Sequence, residues 1–411
     1  MKEKIRKINV FEIYYPVVLI GYAASMISRE YVHPGIIAGI MLLAAAAELI
    51  IKKRMPFSRK DIRTEDAVMY MFLAYSLLSG IWTVVSGIPF RVYAGEAFTT
   101  AIPMIFYFAG RADGENTKLF YRIFAYSVIG TGILGLILYI TAPQFYLDFL
   151  MNVYISKADA ATMRVRMHSV IGSTLLGYLS VASMFAGSYF IIRSELKKNR
   201  ELAEGVIIFA TSMMFAFLSN QRAAMVVAIL AVIYMNHLIF FTFNMLPKRY
   251  FAAEAGIIAA GVAVLCIADM GIVMKIYYRL VSVPGAIGQR SDQWVGAVNN
   301  MKNMWIGNGL GANGTRAFGY QDHVIADGGL AKLYCEMGII GTTFFIFLML
   351  LVLRKGFRKL KECAPETGLI VMTLLVAIGS DMLSFQLATP IFYFAVGRIV
   401  HICCTDSQNL Y

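Results

Sequence analysis

Charge is scarce in this chain: Asp, Glu, Lys and Arg make up only 15% of its 411 residues, while 59% are hydrophobic. A soluble globular protein carries about 25% charged residues; with a mean hydropathy of +0.65, this one could not cover its own core with polar groups in water. Also lacking are short alternating segments of about ten residues separated by turns, which disfavours a transmembrane barrel. The five cysteines, Cys266, Cys335, Cys363, Cys403 and Cys404, form no CxxC pair, so neither a zinc site nor a disulfide framework is indicated. No two aspartates stand two residues apart, which leaves no DxD site for a metal-bound sugar nucleotide.

What is present is apolar sequence in runs of roughly 20 residues, the length that crosses about 30 Å of hydrocarbon as a helix. Runs bounded by charge, Pro or Gly predict an all-α, polytopic integral membrane protein. Its twelve spans fall at about 11–28, 34–51, 67–87, 93–110, 119–142, 169–192, 203–219, 223–245, 251–270, 327–353, 367–383 and 387–404. The chain reads as a single membrane domain over 1–411, without an internal repeat. Its basic start (Lys2, Lys4, Arg6, Lys7) leads into a long apolar stretch with no small-residue cleavage site, which predicts a retained first span rather than a cleaved signal peptide.

The net charge of +12, from 37 Lys and Arg against 25 Asp and Glu, could point to nucleic acid. The basic residues gather instead in alternate connections, at 52–63, 111–118, 193–200, 248–249 and 354–361. That is the positive-inside pattern. It predicts both termini in the cytoplasm and no nucleic-acid partner. The exceptions lie on the other side: residues 157–166, Arg222, and the long outer loop 271–326 with Lys275, Arg279, Arg290, Lys302 and Arg316.

Within that loop Trp294, Val298, Met301 and Trp305 recur at helical spacing, with Asp292, Gln293, Asn299, Asn300 and Lys302 on other faces. A surface helix is expected, its stripe resting in the membrane interface or packing on neighbouring spans. Arg290 falls at the expected start of this helix, where free backbone amides and a guanidinium suit a phosphate or pyrophosphate; pairing with Asp292 is the alternative. Gly309, Gly311 and Gly314 spell GxGxxG, but no strand precedes them, so they read as a flexible turn. His323, beside Asp322 and ahead of Asp327, suits a general base, though an outer-loop histidine is ordinarily just solvated.

Lys332 and Glu336 share a helix face, and an ion pair there favours a polar groove between spans. Glu96 and Asp381, near the same ends of their spans, are candidates for the same groove; hydrogen bonding between spans is their plainer role. Arg222 sits in the short connection Ser219–Ala224, where it either faces a cavity or snorkels to the interface.

Several of these segments together resemble the bacterial O-antigen polymerase and ligase family, the Wzy-type polymerases above all. They are Arg290-Ser-Asp-Gln-Trp294, Met304-Trp-Ile-Gly-Asn-Gly-Leu-Gly311, His323 with Asp327, Glu336-Met-Gly338-Ile-Ile-Gly341, and Ser219–Ala224. The resemblance implies a metal-independent, inverting membrane glycosyltransferase that needs no cofactor. Its donor would be an oligosaccharide on undecaprenyl pyrophosphate, used on the outer (periplasmic or extracellular) face of the cytoplasmic membrane. By position, Arg222 and Arg290 match the arginines that hold the pyrophosphate, with Arg166 as a third candidate, and His323, supported by Asp327, matches the acceptor-activating histidine. Glu336, Lys332, Glu96 and Asp292 would line the cavity.

Asp327-Gly328-Gly329 looks more like the polymerases than the ligases. Arg166 with Gly177 fits the Arg-x10-Gly spacing of some polymerases, whereas Arg290 is followed at that spacing by Met301. The implied product is an O-antigen or capsule type polysaccharide, and the implied partners are the bilayer, the lipid-linked oligosaccharide, a chain-length regulator and a flippase. Two other functions stay open at this point. One is a ligase that moves finished glycan to lipid A core or a protein; the other is a flippase or transporter of lipid-linked oligosaccharide.

Overall fold

A computed structural model describes residues 9–408 except 29–30, 53–54, 56–61, 113–116, 154–165, 197–199, 248–273, 275–276 and 279–280. The expected span at 251–270, the basic N-terminus, Lys248, Arg249, Lys275, Arg279 and residues 157–165 lie outside the described residues. Regular structure among the described residues is helical, an isolated bridge between Phe318 and Gln321 aside.

The helices are α1 (Val10–Ile27), α2 (Pro34–Ile51), α3 (Thr64–Leu78), α4 (Gly80–Val85), α5 (Phe90–Glu96), α6 (Phe106–Ala112), α7 (Thr117–Thr141) and α8 (Gln144–Val153). There follow α9 (Ser173–Arg193), α10 (Arg200–Leu218), α11 (Arg222–His237), α12 (Val283–Asn299), α13 (Gly329–Arg358), α14 (Leu360–Gly379) and α15 (Thr389–Gln408). Among the described residues nine helices are long and apolar enough to cross a membrane, α3 running on through α4 as one of them. The bundle is thus a membrane-embedded, polytopic one. Its outer wall carries exposed Ile20, Ile40, Ile137, Ile207, Ile233 and Leu350, a lipid-facing surface rather than a water-facing one.

Two expected spans have a different form. The run at 93–110 is interrupted: after α5 the chain widens into a π turn (Ala97–Ala101), tightens into a 3-10 turn (Ile102–Ile105) and resumes as α6. Pro103 is the cause, since it has no N–H to give the carbonyl four residues back and its ring crowds that carbonyl. The carbonyl in question belongs to Thr99, and the Thr389 hydroxyl donates to it at 3.2 Å. An orphaned backbone group inside a membrane bundle is thereby satisfied by a side chain from another helix. The run at 387–404 is α15, whose apolar part Thr389–Cys404 is shorter than the others and buried along its length.

α9 is the central helix, with nearly every side chain buried against α7, α10, α11 and α14. One end of the bundle, the basic end, gathers the Lys- and Arg-rich connections. There Asp66 accepts the Tyr107 hydroxyl at 2.7 Å, Lys355 pairs with Glu65 at 2.7 Å, and Arg122 grips Glu204 with two 2.5 Å bonds. The other end, the loop end, carries residues 300–328.

The loop is anchored by a break in α13. Gly338 has φ +61° and ψ −168°, a conformation open to glycine and strained for other residues. The break frees the carbonyls of Cys335 and Glu336, which accept the amides of Asn308 (2.8 Å) and Gly309 (2.9 Å). It also frees the amides of Ile339 and Ile340, which donate to Met304 (2.9 Å) and Trp305 (3.1 Å). The loop therefore completes the helix's own hydrogen bonding, so it docks in one register.

Candidate functional site

At the loop end a cavity of about 730 Å³ opens between α1, α2, the 166–175 segment, the π turn and the turn after α14. Its walls include Arg166, His168, Gln221, Arg316, Glu96 and Asp381. The elements place them by identifiable contacts. Tyr14 and Tyr15 of α1 donate to the carbonyls of Gln386 (2.6 Å) and Leu387 (3.1 Å), pinning the segment that follows Asp381. Met167 donates its amide to Leu218 at 3.0 Å, and Gln221 donates its side-chain amide to Ser173 at 2.7 Å. The connection bearing Arg222 is thus docked onto the segment bearing Arg166.

One side of the cavity rests on a buried charge network. Lys332, 2% exposed, donates to Glu96 at 2.5 Å, Asp381 at 2.8 Å and Ser384 at 2.9 Å. Arg316 donates to the other Glu96 oxygen at 2.8 Å and to Thr99 at 3.2 Å, while Thr100 adds a 3.1 Å bond to Glu96. Glu96 is therefore saturated with donors, whereas Asp381 keeps Oδ1 without a hydrogen-bond partner among the described residues. Buried charges persist only when paired, and the pairing locks α5, α13 and the turn after α14 together. His168, in the segment ahead of α9, is held neutral: burial first, and the Arg166 charge second, push its imidazole down to about 4.

The structure brings Glu96, Lys332 and Asp381 together as the sequence suggested, but changes several details. Lys332 does not pair with Glu336: its ammonium is taken by Glu96, Asp381 and Ser384, and Glu336, also buried, accepts the backbone amide of Asn313 at 3.1 Å. Arg290 is not at a helix start, since α12 begins at Val283 and runs to Asn299, so no free amides flank it. The same bounds leave Met301 and Trp305 beyond the helix, their apolar spacing continuing into the loop. Arg290 pairs with Asp327 at 2.8 Å, and the exposed Asp292 is not its partner.

Asp327 is therefore committed to Arg290 rather than orienting His323. Trp294 fastens the same turn by donating to the Asp327 carbonyl at 2.7 Å. His323 lies against Gly296 of α12, and its carbonyl accepts Asn313 at 2.9 Å. The GxGxxG run is a turn packed into the interior. Residues 308–313 are buried, and Gly309, with φ +92°, passes so close to Thr83 that a side chain there would overlap it.

Of the sequence candidates, Arg166 and Glu96 line the cavity itself, and so does Asp381. Arg222, Arg290 and Asp327 do not line it but border it: Arg222 follows the lining residue Gln221, Asp327 follows the lining residue Ala326, and Arg290 reaches Gly379 beside the Asp381 turn; His323, Lys332, Glu336 and Asp292 are not among the residues that line it. Arg222 begins α11, and its Nε has no hydrogen-bond partner among the described residues. Sequence reasoning passed over Arg316, His168 and Gln221. Arg316 stood among the outer-face cations, yet nothing local marked it; the other two sit next to Arg166 or Arg222 without a spacing signal. No protein-family model matches the chain, and no curated protein is significantly similar to it.

Proposed function

We propose that this protein is a membrane glycosyltransferase of the polysaccharide polymerase type, moving a growing glycan from undecaprenyl pyrophosphate onto a lipid-linked repeat unit at the outer face of the cytoplasmic membrane. The observation that carries the reading is the polar cavity of about 730 Å³ at the loop end, with two arginines among its walls and two more on its borders. A cavity of this size accommodates sugar rings, and its amides, hydroxyls and carboxylates are the groups that hydrogen-bond sugar hydroxyls.

In the reaction the acceptor oxygen attacks the anomeric carbon, the bond from that carbon to the pyrophosphate breaks, and the electron pair leaves with the diphosphate. Guanidinium groups stabilise the charge that develops there. Arg166 in the wall, and Arg222 and Arg290 on the borders, fill that role. The loop carries His323, which receives the acceptor proton, and Lys332, Glu96 and Glu336 hold the shape of the wall.

The test is to incubate purified protein with a lipid-linked repeat unit and resolve the products by length. Longer chains support a polymerase. No product until lipid A core or a protein acceptor is added supports the ligase. Transport of intact oligosaccharide across proteoliposomes without any bond cleavage refutes both. Arg166→Gln is expected to lower turnover by about 10²-fold or more, the usual cost of losing one stabilising donor.

A further inference from the structure

A second cavity, of about 480 Å³, lies at the basic end, the opposite end of the bundle from the first. It opens between the end of α9, the chain just after α11, the start of α14, and α15. Arg193, Lys361 and Arg398 line it together with Glu195, Glu362 and Glu366. Arg193 and Lys361 are exposed at the rim beside the exposed carboxylates of Glu195 and Glu362, the latter 4.0 Å from Lys359, whereas Glu366 is 1% and Arg398 7% exposed at the floor. Ionisable residues this deep in a membrane bundle are costly and are kept where they serve a pathway or a ligand.

Three details point to an occupant. Glu366 accepts the Tyr121 hydroxyl at 3.1 Å through Oε1, but its Oε2 is buried and has no hydrogen-bond partner among the described residues. A carboxylate oxygen in that position calls for a donor. At the rim, Lys361 has no ion pair or hydrogen bond among the described residues. Arg193 donates only to the Tyr189 hydroxyl, at 2.5 Å, and has no carboxylate partner among the described residues. Between rim and floor the wall is apolar, with Ile192, Phe243 and Pro365. A bare anion would meet the two rim cations and leave Glu366 Oε2 without a donor. A phosphate that carries a donor group beyond it would satisfy both.

We infer that this cavity holds the headgroup of an inner-leaflet phospholipid, a phosphodiester ending in a hydroxyl or ammonium donor: the phosphate lies between Arg193 and Lys361, and the terminal donor reaches Glu366 Oε2. That this end faces the inner leaflet rests on the positive-inside pattern, and Lys and Arg presented between helices there suit the phosphate of such a headgroup. The site is independent of the transfer reaction at the loop end.

The test uses the full chain in nanodiscs of phosphatidylcholine alone or mixed with phosphatidylglycerol or phosphatidylethanolamine. Retained lipid is read by native mass spectrometry and stability by thermal unfolding. Choline is the control, because its ammonium has no N–H. Phosphatidylglycerol or phosphatidylethanolamine should be retained in preference to phosphatidylcholine and raise Tm. Lys361→Gln, at an exposed position that does not threaten the fold, should weaken retention about fivefold, the worth of one basic residue at such a surface. Glu366→Gln should remove the preference for donor-bearing headgroups over choline.

Equal retention of all three lipids overturns the inference, as does a preference that both variants leave intact. Soluble glycerol 3-phosphate raising Tm in pure phosphatidylcholine as much as the lipid does would overturn the lipid assignment in favour of a soluble phosphate ester.

Discussion

Replacing Lys332 by Met tests the charge network most directly. The ammonium touches Glu96 at 2.5 Å and Asp381 at 2.8 Å, and the two carboxylate side chains are 2% and 11% exposed. Removal affects them unequally. Glu96 keeps Arg316 at 2.8 Å, whereas Asp381 loses its one ion-pair partner among the described residues. Leaving a buried charge uncompensated costs about 3–5 kcal/mol. A second route to the magnitude agrees: Asp381 can escape by taking up a proton, which from an ordinary aspartate at pH 7 costs about 4 kcal/mol. The expected loss is therefore about 3–4 kcal/mol, nearly all of it assigned to one carboxylate.

Equilibrium unfolding in mixed micelles, followed by tryptophan fluorescence, measures it. The double variant Lys332→Met with Asp381→Asn should recover more than half of the loss, because the neutral amide no longer needs the cation. A single variant within about 0.5 kcal/mol of the parent, the scale of an ordinary surface substitution, would refute the reasoning. So would a double variant no better than the single.

Three further outcomes are expected. Gly338→Ala places a β-carbon 2.4 Å from the Gly307 nitrogen and 2.5 Å from the Trp305 carbonyl oxygen, both backbone atoms; it should cost about 2–4 kcal/mol and make the 300–309 loop cleavable by protease. Thr389→Val removes the hydroxyl that satisfies the Thr99 carbonyl and should cost about 1–3 kcal/mol in the same unfolding assay. For His168 the folded value of about 4 lies below the ordinary 6.5. The folded state thus binds fewer protons, and the stability this residue permits is complete above pH 6.5 and declines as pH falls from there toward 4. His168→Asn should flatten that part of a Tm–pH profile relative to the parent; an unchanged slope would contradict it.

Much of the architecture was legible because lipid imposes a simple rule: backbone polar groups in the hydrocarbon must be satisfied internally, so an apolar run of sufficient length becomes a helix. The run at 93–110 was legible as apolar; that the break at Pro103 could be tolerated was not, because only the tertiary structure brings Thr389 beside the Thr99 carbonyl it frees. The surface helix was found one turn or more out of place, because Met301 and Trp305 extend the apolar spacing into a loop that α13 holds by its backbone. At the site, Glu96, Lys332 and Asp381 were visible as charges at the same ends of their spans. Their partners were not, because Lys332 could choose among three carboxylates and only distance decides.

The sequence alone indicated a lipid-embedded helical bundle and the alternation of basic with non-basic connections, which follow from local composition and from periodicity along one chain. Which arginine enters the cavity, which carboxylate captures the buried lysine, and that Asp327 serves Arg290 rather than His323 were decided by tertiary structure. Those are matters of a few ångströms between segments far apart in the chain, and no spacing within any one segment encodes them.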